Sequence, residues 1–321
     1  RRMMLGGLAI LGLGMIISWA FPIYGAVFAG LVLASLGKTI FDPAIQAYIG
    51  KHVDFSRRGR VIGIVEMSWA GSTLVGIPLL GVLLEIIGLR QVFLLLAFLA
   101  FFCGLLLTWM IPQDVTITEQ GSWRDSLKPL LDLFSNRPAV GMICFGFWIS
   151  IANDCLFVTY GVWFEQAFQV SLVSLGFSTV AIGLSELLGE GLTATISDRI
   201  GPKRALITGL LLVIIAYLLL PILGRSLLAA SVGLFLVFLC FEFSIVTSFA
   251  LSTELVPSAR ATMMSGFYAM AGVGRMLGVL AGGWLWQLGG IQAVTFWSAG
   301  CTGLGLVSLL WGLSGWTPKE H

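Results

Sequence analysis

Apolar residues run along this chain in long blocks separated by short polar punctuation. A helix that crosses a bilayer needs about 20 predominantly apolar residues, and ten blocks meet that length: 3–21, 25–50, 60–84, 91–111, 139–161, 173–196, 205–223, 227–252, 262–286 and 292–315. Most connections are a few residues long, so consecutive helices are expected to be antiparallel neighbours. The exception is 112–138, which holds Asp114, Glu119, Arg124, Asp125, Lys128, Asp132 and Arg137. It divides the chain into a group at 1–111, a polar linker at 112–138, a group at 139–316 and a tail at 317–321. Within the linker, Ser122 with Asp125 resembles a helix cap. Trp123, Leu127, Leu130, Leu131 and Phe134 recur at helical spacing, which predicts an amphipathic helix lying on the inner leaflet.

Composition agrees with an all-α integral membrane protein and excludes a pair of soluble domains. Hydrophobic residues make up 58% and charged residues 11% of the 321, where soluble domains carry about 25% charge. Mean hydropathy is +0.98. A net charge of +2 gives no concentrated basic face for nucleic acid. Cys103, Cys144, Cys155, Cys240 and Cys301 all fall inside apolar blocks, where cysteine acts as a small hydrophobe. Only His52 and His321 are present, so no histidine metal centre and no cofactor is expected. No zinc-ligating histidine pair, no serine–histidine arrangement within the blocks and no nucleotide-binding loop appears, which argues against an embedded enzyme. The expected partners are the lipid bilayer, a small-molecule substrate and protons, with the chain acting as a monomer.

Lysine and arginine placement sets the orientation. One side receives Arg1, Arg2, Lys51, Arg57, Arg58, Arg60, Arg124, Lys128, Arg137, Arg199, Lys203, Arg204, Arg260 and Lys319, and the other only Arg90 and Arg225. The linker and both ends are therefore expected in the cytoplasm, with the chain in the cell (inner) membrane. An internal repeat adds to this. Sliding the chain by 202 residues aligns Arg2 with Arg204, Gly7 with Gly209, Arg58 with Arg260, Gly76, Gly81 and Gly88 with Gly278, Gly283 and Gly290, and Trp109 with Trp311. Parallel repeats of this kind build transporters from two similar six-span halves around a midplane site. The second copy has two spans with no counterpart before Arg1, so the intact protein is expected to have twelve spans, of which three to twelve are present.

Charge inside a bilayer is costly, so its placement is informative. Spans three, six, nine and twelve carry none. Lys38 and Asp42 lie in span four, Glu66 in five, Asp154 in seven, Glu186 and Glu190 in eight, Glu242 in ten and Arg275 in eleven. These eight are the candidate substrate and proton pathway. Lys38 and Asp42, one turn apart, either line a route or neutralise each other. Glu66 and Glu190 lie near the cytoplasmic ends, where they suit the gate rather than the substrate. Glu186 and Glu190 share a helix face, and like charge with burial favours their protonated form. Glu242 either shares that proton or pairs with Arg275.

The loop Asp198-Arg199-Ile200-Gly201-Pro202-Lys203-Arg204 resembles the signature loop of the major facilitator superfamily: an acid and arginine, a turn glycine, then two basic residues. Glu254-Leu255-Val256-Pro257-Ser258-Ala259-Arg260 resembles that family's loop between spans ten and eleven. Ala194 stands where the family has glycine. The resemblance covers the whole chain. It implies the family's fold, two pseudo-symmetric six-helix halves, and alternating access in which Asp198, Arg199, Gly201, Lys203, Arg204, Glu254, Arg260 and Arg58 form a cytoplasmic latch. Gly71, Gly76, Pro78 and Gly81 resemble a degraded form of the glycine–proline motif of proton-coupled drug antiporters, interrupted by Ile77. The expected function is secondary active transport, as proton-coupled efflux of a small, partly apolar solute by an antiporter. The alternatives are uptake by proton symport, with Lys38 or Arg275 holding an anion, and a non-transporting sensor on a transporter fold.

Overall fold

The computed structural model describes residues 1–112, 133–170 and 172–316. The linker helix expected from Ser122, Trp123, Asp125, Leu127, Leu130 and Leu131 lies outside them. Among the described residues there is no strand. The helices are α1 (Arg2–Ala20), α2 (Tyr24–His52), α3 (Phe55–Gly71), α4 (Ile77–Met110), α5 (Arg137–Phe168), α6 (Leu172–Leu192), α7 (Pro202–Leu223), α8 (Leu227–Leu255) and α9 (Arg260–Gly312). Seven helical stretches among the described residues are long and apolar enough to cross a membrane.

Two of these helices are interrupted by a change of backbone hand. Within α4, Gly88 has φ 78° and ψ 162°; within α9, Gly290 has φ 58° and ψ −145°. A side chain at such φ is strained, whereas glycine enters the region readily. Each break separates an apolar run before it from one after it. The two glycines lie 202 residues apart, as the internal repeat requires.

Two wide turns also occur. Ser72–Gly76 follows α3, and there Pro78 has no N–H to return to the carbonyl four residues earlier. Thr193–Ser197 follows α6, where hydroxyls compete for the carbonyl ladder. Thr193 Oγ1 lies 3.2 Å from the Gly189 carbonyl, and Thr195 Oγ1 donates to that of Gly191 at 2.9 Å.

The chain forms two compact units. One comprises Arg1–Tyr48 and Val75–Arg124, the other Ile49–Leu74 and Asp125–His321. In the first, Met15 of α1 packs with Phe93 and Ala97 of α4. Arg1 Nη1 donates to the Ile111 carbonyl at 3.1 Å, tying the two helix ends. In the second, α5 lies against both arms of α9 through small residues. A Cβ at Gly141 would stand 2.6 Å from Gly312 Cα, and one at Gly278 2.7 Å from the Ile151 carbonyl. Close backbone approach of this kind is how helices associate where lipid removes the hydrophobic drive. Ala152, Leu156, Val213, Tyr217 and Val237 fill the core between them. Here Lys203 Nζ donates to the Leu313 carbonyl at 3.0 Å, the repeat equivalent of Arg1 and Ile111.

Candidate functional site

The site residues of the second unit fall into two groups joined by one helix crossing. The first group gathers the loops. Glu254 at the end of α8 accepts from Arg58 Nη1 at 2.7 Å, with the two side chains 1% and 3% exposed. A buried pair of this kind holds only if its remaining donors are satisfied. They are: Arg58 Nη2 donates to the carbonyls of Gly50 at 2.9 Å and Val53 at 3.1 Å, and Nε to Val53 at 3.3 Å. The Phe55 ring lies 5.4 Å from the guanidinium carbon. Arg260 stands 3.8 Å from the same carboxylate and donates through Nε to the Thr253 carbonyl at 2.9 Å. Burial lowers the Arg260 pKa, Arg58 nearby lowers it further, and Glu254 opposes both.

Asp198, which follows the wide turn, reaches the start of α3. Its carboxylate accepts from the amides of Gly59 at 3.0 Å and Arg60 at 2.8 Å. Gly59 makes the approach possible, because a Cβ there would lie 2.5 Å from Asp198 Oδ1. Partial burial raises the Asp198 pKa, against the opposing pull of those two amides and of Arg58 and Arg60. Gly201 turns the chain at φ 86°. Lys203 is spent on backbone carbonyls, and Arg199 and Arg204 are exposed. The structure thus joins Asp198, Glu254, Arg58 and Arg260 to α3, and leaves Arg199 and Arg204 at the surface.

The second group lies within the apolar lengths. Glu190 is 0% exposed, and neither carboxylate oxygen has a hydrogen-bond partner; Glu186 Oε2 is likewise unpartnered. Helix α6 crosses α8 where a Cβ at Gly189 would stand 2.9 Å from Glu242 Cβ. On its other side it crosses α3, where a Cβ at Gly63 would stand 2.7 Å from the Glu190 carbonyl and 2.9 Å from Ala194 Cβ. Ala194, where the family has glycine, is therefore accommodated by a glycine on the opposing helix. Arg275 on α9 takes Asp154 on α5 as partner, Nε to Oδ1 at 3.2 Å, with the Arg275 side chain 63% exposed and Asp154 9%. A charge at mid-span is costly in hydrocarbon, and the ion pair with Asp154 offsets part of that cost. In the first unit, Lys38 and Asp42 pair with each other across one turn.

Sequence reasoning passed over Gly59 and Gly63. Their four-residue spacing, small-xxx-small, is a helix-contact signal that was present to be read. Gly50 and Thr253, whose backbone and hydroxyl serve Arg58, carry no local signal.

A bundle of apolar helices with two repeat-related halves and charged residues at mid-span defines a membrane transport protein. The profile described as Major Facilitator Superfamily matches residues 1–189 and 143–320, and the chain belongs to that family. Among relatives, it is 24% identical over 291 residues to the uncharacterized MFS-type transporter YceJ of Bacillus subtilis, covering 89% of this chain and 73% of that one. It is 28% identical to the multidrug resistance protein MdtH of Blochmanniella floridana, covering 90% and 71%. Among solved structures, the E. coli fucose:proton symporter FucP superposes with a TM-score of 0.81 at 13% identity, over 97% of this chain and 83% of that one. The human organic anion transporter MFSD10 gives 0.79 at 19%, over 95% and 76%.

Proposed function

We propose that this member of the family is a secondary active transporter that exports a small, partly apolar solute in exchange for protons by alternating access. The observation that carries the proton is the pair Glu186 and Glu190, whose buried carboxylate oxygens lack partners, with Glu242 beside them on α8. A carboxyl group buried without a partner in a dry helix bundle is expensive to keep charged, so it is suited to take up and release a proton. The efflux direction is supported by the degraded glycine–proline motif that runs from the end of α3 into α4 and by relatives named as multidrug resistance proteins, MdtH and a PmrA homologue from Lactococcus lactis. In this reading the Asp198, Arg58, Glu254 and Arg260 cluster is the cytoplasmic latch. It lies in the cell membrane's cytoplasmic face, together with the linker and both chain ends. In this reading Asp154 and Arg275 line the solute route within the second unit, and Lys38 and Asp42 are the corresponding candidates in the first.

The test is flux in energised inside-out vesicles against a substrate panel, with Glu186→Gln and Glu242→Gln measured separately. Accumulation driven by the proton gradient, lost in one variant while downhill exchange persists, is the expected result. Full pH-dependent, gradient-driven transport in both variants removes the proton-carrier assignment. A second reading, uptake by proton symport of an anionic solute, is favoured by Arg275, whose side chain is 63% exposed beside Asp154. Release from the same vesicles in place of accumulation would select it.

A further inference from the structure

Helix α6, with the wide turn that follows it, runs alongside α8 over a seam of buried hydroxyls. A Cβ at Gly189 would stand 2.8 Å from the Leu239 carbonyl and 2.9 Å from Glu242 Cβ. One turn on, Thr193 Oγ1 lies 3.2 Å from the Phe243 carbonyl and 3.3 Å from Thr247 Oγ1. Both helices advance four residues between these contacts, as parallel neighbours do. Glu190, Thr193 and Ser197 follow at spacings of three and four, the spacing of one helix face. These three, with Thr247 and Ser252 on α8, are 0% exposed.

Two of the hydroxyls stand out. A helical serine ordinarily returns its proton to a carbonyl one turn back, as Ser244 does to Cys240 at 2.7 Å and Ser248 to Ile245 at 2.6 Å. Ser197 Oγ and Ser252 Oγ have no hydrogen-bond partner among the described residues. Hydroxyls that only hold helices together are bonded across them, and these two are not. Thr193 Oγ1 has one proton and three oxygens within 3.3 Å, on Gly189, Phe243 and Thr247, so its donor bond can turn among them. The seam starts at the unpartnered carboxyl group of Glu190 and reaches the loops. A Cβ at Gly59 would stand 3.1 Å from Ser197 Oγ and 2.5 Å from Asp198 Oδ1. Thr253, next to Ser252, accepts from Arg58 Nη1 at 3.4 Å.

We propose that Thr193, Thr247, Ser197 and Ser252, bridged by water, carry a proton from Glu190 to the loop cluster at Asp198. Buried water serves polar groups that the protein leaves unpaired. Each oxygen takes the incoming proton and releases its own to the next, so one proton leaves Glu190, one reaches the medium and every hydroxyl is restored. The inference rests on the reading of Glu190 as a proton carrier and adds the way out. The groups acting on Glu190 are Glu186 on α6 and Glu66 on α3; Glu242 on α8 faces all three, and Arg275 on α9 acts on Glu242. At the far end Asp198, partly exposed, is the acceptor, with Arg58 and Arg60 beside it.

Inside-out vesicles of the full chain place the loop end in the medium. After a jump there from about pH 5 to about pH 9, a range that buried carboxyl groups reach, the infrared carbonyl stretch of protonated Glu190 should decay. Loss of the band in Glu190→Gln identifies it. Thr193→Val with Ser197→Ala should slow the decay about 100-fold, the lower end of what a positioned proton-transfer group contributes. Thr193→Ser should keep the native rate, and Thr247→Val serves on the other helix if the first pair does not insert. An unchanged decay in the inserted variants, or a Thr193→Ser chain as slow as the valine one, overturns the path. Gradient-driven flux of the substrate panel is measured on the same vesicles. Unchanged decay with flux intact removes the path and leaves the transporter reading, whereas slowed decay in the variants with no flux of any panel compound in the native chain does the reverse. A native chain with no such band at either pH removes both.

Discussion

Arg1 and Lys203 stand at equivalent places in the two copies of the repeat, and each ties the start of one helix to the end of another. Arg1 Nη1 reaches the Ile111 carbonyl at 3.1 Å and Lys203 Nζ that of Leu313 at 3.0 Å. Gly7 and Gly209 lie against Phe41 and Phe243, again 202 residues apart. The mid-span charges behave differently. Lys38 and Asp42 form an ion pair in α2, while their counterparts Cys240 and Ser244 in α8 form a hydroxyl-to-carbonyl hydrogen bond at 2.7 Å. Glu242 corresponds to Ile40 and Arg275 to Thr73. The two copies have kept what holds helices together and have parted at the charged positions within the spans. Helix contacts and in-span charges therefore occupy separable positions on the same helices.

The largest expected effect sharpens the comparison at Arg58 and Arg260, equivalents that share Glu254 unequally. Glu254→Ala leaves Arg58 buried and uncompensated, a loss of about 3–5 kcal/mol. Arg260→Ala, at a partly exposed group 3.8 Å away, should cost about 1 kcal/mol or less. Unfolding in mixed detergent micelles measures both, and equal losses would break the distinction.

The glycine pair comes next. Gly209→Ala drives a methyl group into Ser244 Oγ, a side-chain atom, so about 1–3 kcal/mol of overpacking should be relieved by Ser244→Ala. Gly7→Ala meets the Gly37 carbonyl, which is backbone, and no such partner change should rescue it. Rescue at both sites, or at neither, contradicts this packing.

Much of this was legible beforehand, for physical reasons that differ by residue. The bundle of membrane-length apolar helices comes from length and hydropathy, which the bilayer imposes directly. The 202-residue register comes from matching glycines and arginines. Of the ten expected blocks, seven helical stretches among the described residues are long and apolar enough to cross a membrane. The breaks at Gly88 and Gly290 fall in the short gaps that separate blocks 60–84 from 91–111 and 262–286 from 292–315. Partners across helices were harder to read. Arg275 takes Asp154, 121 residues away, and not Glu242, because helical periodicity tells which residues share a face and not which helix lies opposite. Glu254 was expected to serve the loop's basic residues. Arg58 occupies it, and Lys203 turns to the carbonyls of Leu313 and Trp316, a preference that only the packed ends of α7 and α9 create.

A smaller effect tests the equivalence of the helix ties. Arg1→Met and Lys203→Met each remove a charged donor from one carbonyl, and each should cost about 0.5–1.5 kcal/mol. Values differing by more than that range would mean that the two copies are tied by something else. The smallest concerns Lys38. Its side chain is 48% exposed, so Lys38→Met should shift unfolding by about 0.5 kcal/mol at most while changing solute flux. A large stability loss would place Lys38 with the scaffold.

The left-handed glycines also limit how the protein can be handled from outside. At Gly88 and at Gly290 one helical run passes into the next with no loop between them. Those two corners give a protease no loop to cut and an antibody little chain to grip. An epitope tag inserted at either would have to prise open a joint between two helices. Reporters of sidedness belong elsewhere, at the Gly224–Ser226 turn that joins α7 to α8, where the polypeptide already leaves the helix and Arg225 is exposed.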